Sequence, residues 1–209
     1  MIKGMDLRNR FRFVKEVIQE PKKVLPDEIP VLIKLNTNDF TTKPGVDPDL
    51  TAKYVRWLAD LGVDGVELSC GTYYSFHTIR GGIPVKEFAD MMSWWIRPIV
   101  KFQLKRMVSH CAFEEGYNLD TAKMIGAERG DVRLFLVGGM RRVAHMEDVL
   151  EQGYADYISM SRPFVREPFL VKRFREGKQD EAACISCNNC MAALLKGLPL
   201  RCYVDGLPE

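Results

Sequence analysis

The sequence has little net charge, no long apolar run, no internal repeat and no low-complexity linker. Thirty Lys+Arg stand against 28 Asp+Glu, a formal charge of +2. So small an imbalance gives no ground for expecting a nucleic-acid partner, which needs a strongly basic face. No stretch of 18 apolar residues occurs, so no membrane-spanning helix and no membrane partner are expected. The N-terminal MIKGMDLRNRFRF lacks the apolar core of a secretory signal, which points to the cytoplasm. Apolar content is not lacking. With 46% hydrophobic and 28% charged residues over 209 positions, the composition excludes disorder and suffices for one buried core.

Periodicity divides the chain into alternating elements. Leu7 to Glu20 reads as a helix with Phe13, Val14, Val17 and Ile18 at helical spacing, stopped by Pro21. Pro30 to Asn36 (PVLIKLN) suits a buried parallel strand. Asp47 reads as an N-cap with Pro48 at the first helical position. Leu50, Tyr54, Leu58 and Leu61 share one face of that helix, and Gly62 ends it. DGVELS (64–69), VRLFLV (132–137) and ADYISM (155–160) read as further strands. Helices are predicted over 85–95, 118–129, 143–152 and 167–176, with Pro98 breaking or kinking the first. The order α-β-α-β-α-β-α-β-α predicts an α/β unit of parallel strands joined by right-handed crossovers. Four strands are too few to close an eight-stranded barrel, a fold that usually needs about 250 residues.

Two motifs follow strands directly. VGGM (137–140) and MSRPF (160–164) therefore lie at the carboxyl end of the sheet, where α/β proteins place ligands. Gly138 and Gly139 allow backbone N–H groups to approach an anion, and Arg162 offers a charged fork to phosphate oxygens. Read as sequence alone, the glycines could equally make a tight turn and Arg162 a structural ion pair. Lys34, near the end of the first strand in an apolar run, must be exposed or paired, and either a ligand or an acidic neighbour would satisfy it.

The six cysteines are unevenly placed. Cys70 and Cys111 stand alone and read as small core or loop residues. Cys184, Cys187, Cys190 and Cys202 form C-x2-C-x2-C-x11-C. Four thiolates at this spacing suit a 4Fe–4S cluster, because the tight triplet wraps one loop around a cube face. Zinc is the alternative, although structural zinc more often takes two separated C-x2-C pairs.

In order, NRFRF (9–13), PVLIKLN, DGVELS, LFLVGGM, ADYISMSRPFVREP and CISCNNC resemble the old yellow enzyme family of FMN-dependent oxidoreductases. The likeness is to its iron–sulfur branch, which includes 2,4-dienoyl-CoA reductase and trimethylamine dehydrogenase. The resemblance runs from Asn9 to Tyr203. It implies the C-terminal half of a TIM barrel, with residues 1–180 as a partial FMN-binding barrel and 181–209 as an iron–sulfur segment. It further implies an FMN phosphate site at Gly138, Gly139, Ser161 and Arg162, and a flavin contact at Lys34, where a cation would stabilise a reduced, anionic flavin. It also implies cluster ligands at Cys184, Cys187, Cys190 and Cys202, and NAD(P)H as electron donor. A small molecule is the expected substrate, and the expected partner is an N-terminal half-barrel chain or a second copy.

The family's first four strands, which carry its substrate-gripping pair and its proton-donating Tyr, have no counterpart here, so no catalytic residue is assigned. Tyr73 and His77, in the loop after the second strand, are candidates to face substrate, with loop packing as the simpler account. The alternative function is a non-catalytic iron–sulfur or zinc half-barrel that binds a partner. Trp94, Trp95 and the basic run Arg97 to Arg106 read as an amphipathic helix covering the barrel in preference to a helix lying on an acidic membrane surface. His110 and His145 carry no recognisable constellation.

Overall fold

A computed structural model describes residues 6–40, 45–72, 80–126 and 128–208. Its centre is one sheet of four parallel strands in the order β1-β2-β3-β4: Leu32–Asn36, Gly65–Ser69, Arg133–Val137 and Tyr157–Ser159. Lys34 is level with Glu67, Glu67 with Phe135, and Phe135 with Tyr157, so these four residues form a row across the sheet. Alternation along each strand sends Val66, Leu68, Leu134 and Leu136 to the opposite face, where all four are buried.

That buried face is covered by helices. α1 (Leu7–Lys22) places Phe11 and Ile18 in the core, and α2 (Pro48–Asp60) adds Thr51, Val55 and Leu58. α5 (Leu119–Gly126) contributes Ala122 and Ile125, and α6 (Val143–Glu151) contributes Met146 and Val149. The N-terminal cap of α2 forms as the sequence requires: Asp47 Oδ1 accepts from the Leu50 amide at 2.8 Å, with Pro48 in the first turn.

Three sequence expectations are corrected. The helix expected to stop at Pro21 runs through it to Lys22, and its buried pair is Phe11 and Ile18 while Phe13, Val14 and Val17 are exposed. Phe11 fixes this roll by packing on Tyr54 and Trp57, with ring centroids 5.5 and 5.1 Å away. The helix expected over 85–95 ends at Asp90 (α3, Val85–Asp90), and Pro98 opens the next helix, α4 (Arg97–Met107), instead of breaking the earlier one. α4 is also not laid over the main core. Leu104, with Val100, joins Phe88 and Ala192 in a separate small cluster.

Beyond β4 lie α7 (Arg162–Arg166), α8 (Leu170–Arg175) and α9 (Asn189–Leu195). The cysteine segment folds back on the rest of the chain: the amide of Gly82 donates to Ser186 O at 2.8 Å, and Ala182 N donates to Arg141 O at 3.1 Å.

Candidate functional site

The carboxyl ends of the strands open into a cavity of about 230 Å3. Lys34 from β1, Ser69 at the end of β2 with Cys70 after it, Val137 at the end of β3 with Gly139 after it, and Ser159, Ser161 and Arg162 at the end of β4 and beyond line it. Lys34, Gly139, Ser161 and Arg162 thus meet around one space, although 128 residues separate the first from the last. Gly138 adjoins it in the same loop.

The glycine loop is built so that nothing larger fits. Gly138 and Gly139 have φ of 148° and 71°. A Cβ on Gly139 would stand 2.5 Å from the Glu114 carbonyl oxygen, and one on Gly138 would stand 3.2 Å from the Asn118 amide nitrogen. Asn118 pins the loop by donating from Nδ2 to Val137 O at 2.7 Å, while the Tyr117 amide donates to Gly138 O at 3.2 Å. Thr37 Oγ1 donates to Ser69 O at 2.6 Å and ties the ends of β1 and β2.

Arg162 is held from behind. Its Nη1 donates to Arg80 O at 3.0 Å and to Asn188 Oδ1 at 2.6 Å, and Asn188 Nδ2 donates to Gly82 O at 2.8 Å. One terminal nitrogen is thereby committed to the scaffold, and a guanidinium has five N–H donors, so the fork is fixed in direction without being exhausted. Lys34 Nζ donates to Glu67 Oε1 across the strand pair.

Arg141, Asn118 and Ser186 belong to the cavity and carried no sequence motif. Arg141 lies 3.4 Å from the Phe113 ring centroid and donates from Nη2 to Ser186 Oγ at 2.7 Å. Burial pushes its pKa down, and the neighbouring Arg162 charge adds to this against the opposing influence of Cys184, Glu181 and Glu115. Its position two residues after Gly139 was the one available signal. Burial likewise raises the Cys70 thiol, only partly offset by a hydrogen bond with Asn118 and by Arg80, and it raises the Tyr117 phenol. Both groups are therefore neutral near pH 7, and neither is a poised nucleophile or base. Tyr73 and His77 fall outside the described residues.

None of the tail cysteines is in a disulfide. Burial raises the Cys190 pKa, and Cys184 and Cys187 raise it further, so the triplet lies within electrostatic reach of itself. Two left-handed residues, Ser186 and Asn188, curl the loop that carries it. Cys202 stands apart from the triplet in its contacts, with Sγ 3.9 Å from Arg166 Nη1. Among the described residues no three His, Cys, Asp or Glu side chains converge closely enough to share a metal ion. The donor set fits a thiolate-bound metal, whereas the ligand geometry is not closed.

No family model matches the chain. Curated relatives do. The chain is 28% identical over 204 residues to 4,4'-dithiodibutanoate disulfide reductase of Rhodococcus erythropolis, covering 96% of this chain and 49% of that protein. It is 23% identical to NADH oxidase of Thermoanaerobacter brockii, covering 97% and 27% respectively. It is 28% identical to the NADH-dependent flavin oxidoreductase iliE of Neonectria sp., covering 78% and 19%. The chain thus spans about half the length, or less, of the relatives it matches. Among solved structures, 6-hydroxypseudooxynicotine amine oxidase of Pseudomonas geniculata N1 superposes with a TM-score of 0.69 at 21% identity, over 96% of this chain and 25% of that one, which supports the half-barrel fold. The similarity is therefore to the old yellow enzyme-like NADH:flavin oxidoreductases, and it falls on their C-terminal part.

Proposed function

We propose that this chain is the cofactor-holding C-terminal half of an NAD(P)H-dependent flavin oxidoreductase. The observation that carries this reading is the convergence of the Gly138–Gly139 loop, the Ser161–Arg162 loop and Lys34 on one cavity at the carboxyl ends of parallel strands. Backbone N–H groups of the glycine loop and the Arg162 fork would hold the FMN phosphate. Lys34 would place its cation against the flavin ring, with Glu67 orienting the ammonium. When bound, FMN supplies the hydride-accepting and hydride-donating chemistry that no side chain here can supply. Arg141, stacked on Phe113 and bonded to Ser186, would link the cavity wall to the cysteine loop.

Cys184, Cys187, Cys190 and Cys202 would hold a 4Fe–4S cluster, or zinc in the alternative chemistry, once all four side chains draw together around it. The remaining half of the barrel would come from a segment comparable to the rest of the relatives' length, as part of the same polypeptide or as a separate chain. A small reducible molecule is the expected substrate, and a cytoplasmic location accords with thiols kept reduced.

Equilibrium binding of FMN, followed by flavin fluorescence, tests the cofactor site. Saturable binding is expected, weakened about tenfold or more by Arg162→Ala, the scale of a lost charge-assisted phosphate contact. No saturable binding, even with an N-terminal half supplied, would overturn the reading. Anaerobic reconstitution with iron and sulfide tests the tail separately: a brown chromophore with about four irons per chain supports the cluster, and stoichiometric zinc with no chromophore replaces it.

A further inference from the structure

Helix α4 and the turn before it account for an apolar surface that the flavin site does not use. Trp94 and Trp95 are 79% and 66% exposed, and Ile99 and Phe102 are 59% and 62% exposed. Trp95, Ile99, Phe102 and Arg106 recur at spacings of four, three and four, so they form one stripe along the turn and helix. The opposite side of α4 carries Val100 and Leu104, which fill the small cluster with Phe88 and Ala192. The helix is therefore anchored on one side, and its aromatic side faces outward.

The turn is held in that presentation. Arg97 donates from Nε to Met92 O at 3.0 Å and from Nη2 to Asp90 O at 3.2 Å, and its Nη1 lies 3.9 Å from Asp90 Oδ1. One guanidinium thus clamps the chain on the N-terminal side of the tryptophan pair.

Charge decides what such a ridge fits. From Met91 to Cys111 the sequence holds Arg97, Lys101, Lys105 and Arg106 and no acidic residue. Arg106 stands over the Phe102 ring, 5.7 Å from its centroid. Among the described residues neither Lys101 nor Lys105 has an ion-pair partner. Bulky aromatics that project outward beside unneutralised lysines match an interface that is apolar below and anionic above. A purely apolar protein partner would gain from the tryptophans and would have to desolvate the lysines without compensation. No helix among the described residues is long and apolar enough to cross a membrane, so the contact would be peripheral.

We propose that the Trp94–Trp95 turn and the exposed stripe of α4 dock this chain on an anionic lipid surface. The aromatic rings would insert at the headgroup level while Lys101 and Lys105 meet lipid phosphates and carboxylates. This inference is independent of the flavin reading, since it uses no residue of the cavity.

The test is co-sedimentation of the full 209-residue chain with phosphatidylcholine vesicles, made with and without phosphatidylserine, read together with tryptophan fluorescence. The chain should pellet with the anionic vesicles only, with a blue shift in emission, and should be released by raised salt. The double variant Lys101→Glu/Lys105→Glu reverses one half-buried and one exposed lysine, neither of them part of the small cluster, and should weaken pelleting about tenfold or more, since each basic residue near such a surface contributes roughly a fivefold factor. Trp94→Ala/Trp95→Ala should abolish the blue shift, while Trp57, packed on Phe11 and Tyr54, reports that the variant is still folded. No binding to anionic vesicles at low salt, equal binding to both vesicle types, or equal binding by the charge-reversed variant would each overturn the proposal. Concentration-dependent dimers that the tryptophan variant abolishes, with no pelleting, would overturn it in favour of a second copy.

Discussion

The two faces of the four-stranded sheet differ in how far they are finished. One face carries Val66, Leu68, Leu134 and Leu136, all buried under α1, α2, α5 and α6. The other carries Leu32, 57% exposed, then the row Lys34, Glu67, Phe135 and Tyr157, with Phe135 stacked on Tyr157 at 4.5 Å between centroids. In a closed barrel that second face is the interior, filled by side chains from all eight strands. The core helices α1, α2, α5 and α6 pack on one side of the sheet, so the first face is finished by contacts within this chain while the second stays largely open among the described residues.

The largest expected effect separates the two faces by stability. Leu134→Ala removes a fully buried side chain between the sheet and the helices and should cost about 2–5 kcal/mol in urea unfolding. Leu32→Ala, two strands away on the open face, should change stability by no more than about 0.5 kcal/mol. Comparable costs at the two positions would break the comparison, because they would mean that Leu32 is covered in solution.

The finished face was the legible part of the sequence. PVLIKLN, DGVELS and VRLFLV were readable as strands because short, mostly apolar runs bounded by Gly, Asp and Pro have few other uses. Asp47–Pro48 placed the start of α2 to the residue, since the cap and the proline report the same boundary. Short elements were not legible: α7 and α9, with five and seven residues, are too brief to show a period. Of the site, the motif residues Gly138, Gly139, Ser161 and Arg162 were visible because each directly follows a strand. Asn118, Ser186 and Arg141 were not, because tertiary packing alone brings their loops to the cavity. The cysteine spacing was equally plain, but where Cys202 sits depends on how eleven intervening residues return, and periodicity says nothing about that.

A second, smaller effect compares a well-tied carboxylate with the open-face pair. Glu115 is tied to the loop between β3 and α6: its Oε1 accepts from the amides of Arg141 and Arg142 at 2.8 and 2.7 Å, and its Oε2 accepts from Arg142 Nε at 2.7 Å. Burial alone would raise this carboxyl, but the hydrogen bonds from Arg142 and Arg141 outweigh it and hold the pKa below the usual carboxylate value. A carboxyl depressed in the folded state adds stability above its unfolded pKa, and that stability is lost as pH falls through the folded value. Glu115→Gln should therefore cost about 1–2 kcal/mol at pH 7 and should reduce the acid-side slope of stability against pH. An unchanged slope would show that Arg141 and Arg142 do not hold the carboxylate in solution.

The smallest effect belongs to Lys34 and Glu67, the matching pair on the open face. It has a single contact, and the Lys34 side chain is 62% exposed, so water screens the attraction and the lysine loses rotamer freedom to make it. A double-mutant cycle with Lys34→Met and Glu67→Gln should give a coupling below about 1 kcal/mol in this chain. The same cycle sharpens the comparison if it is repeated with an N-terminal half-barrel added. Closing the barrel would remove water from the pair, lower the local dielectric and make an unpaired Lys34 or Glu67 expensive, so the coupling should rise severalfold. A coupling that stays unchanged when the other half binds would mean that the added segment does not cover this face. The open row would then be solvent-facing surface and not the interior of a barrel.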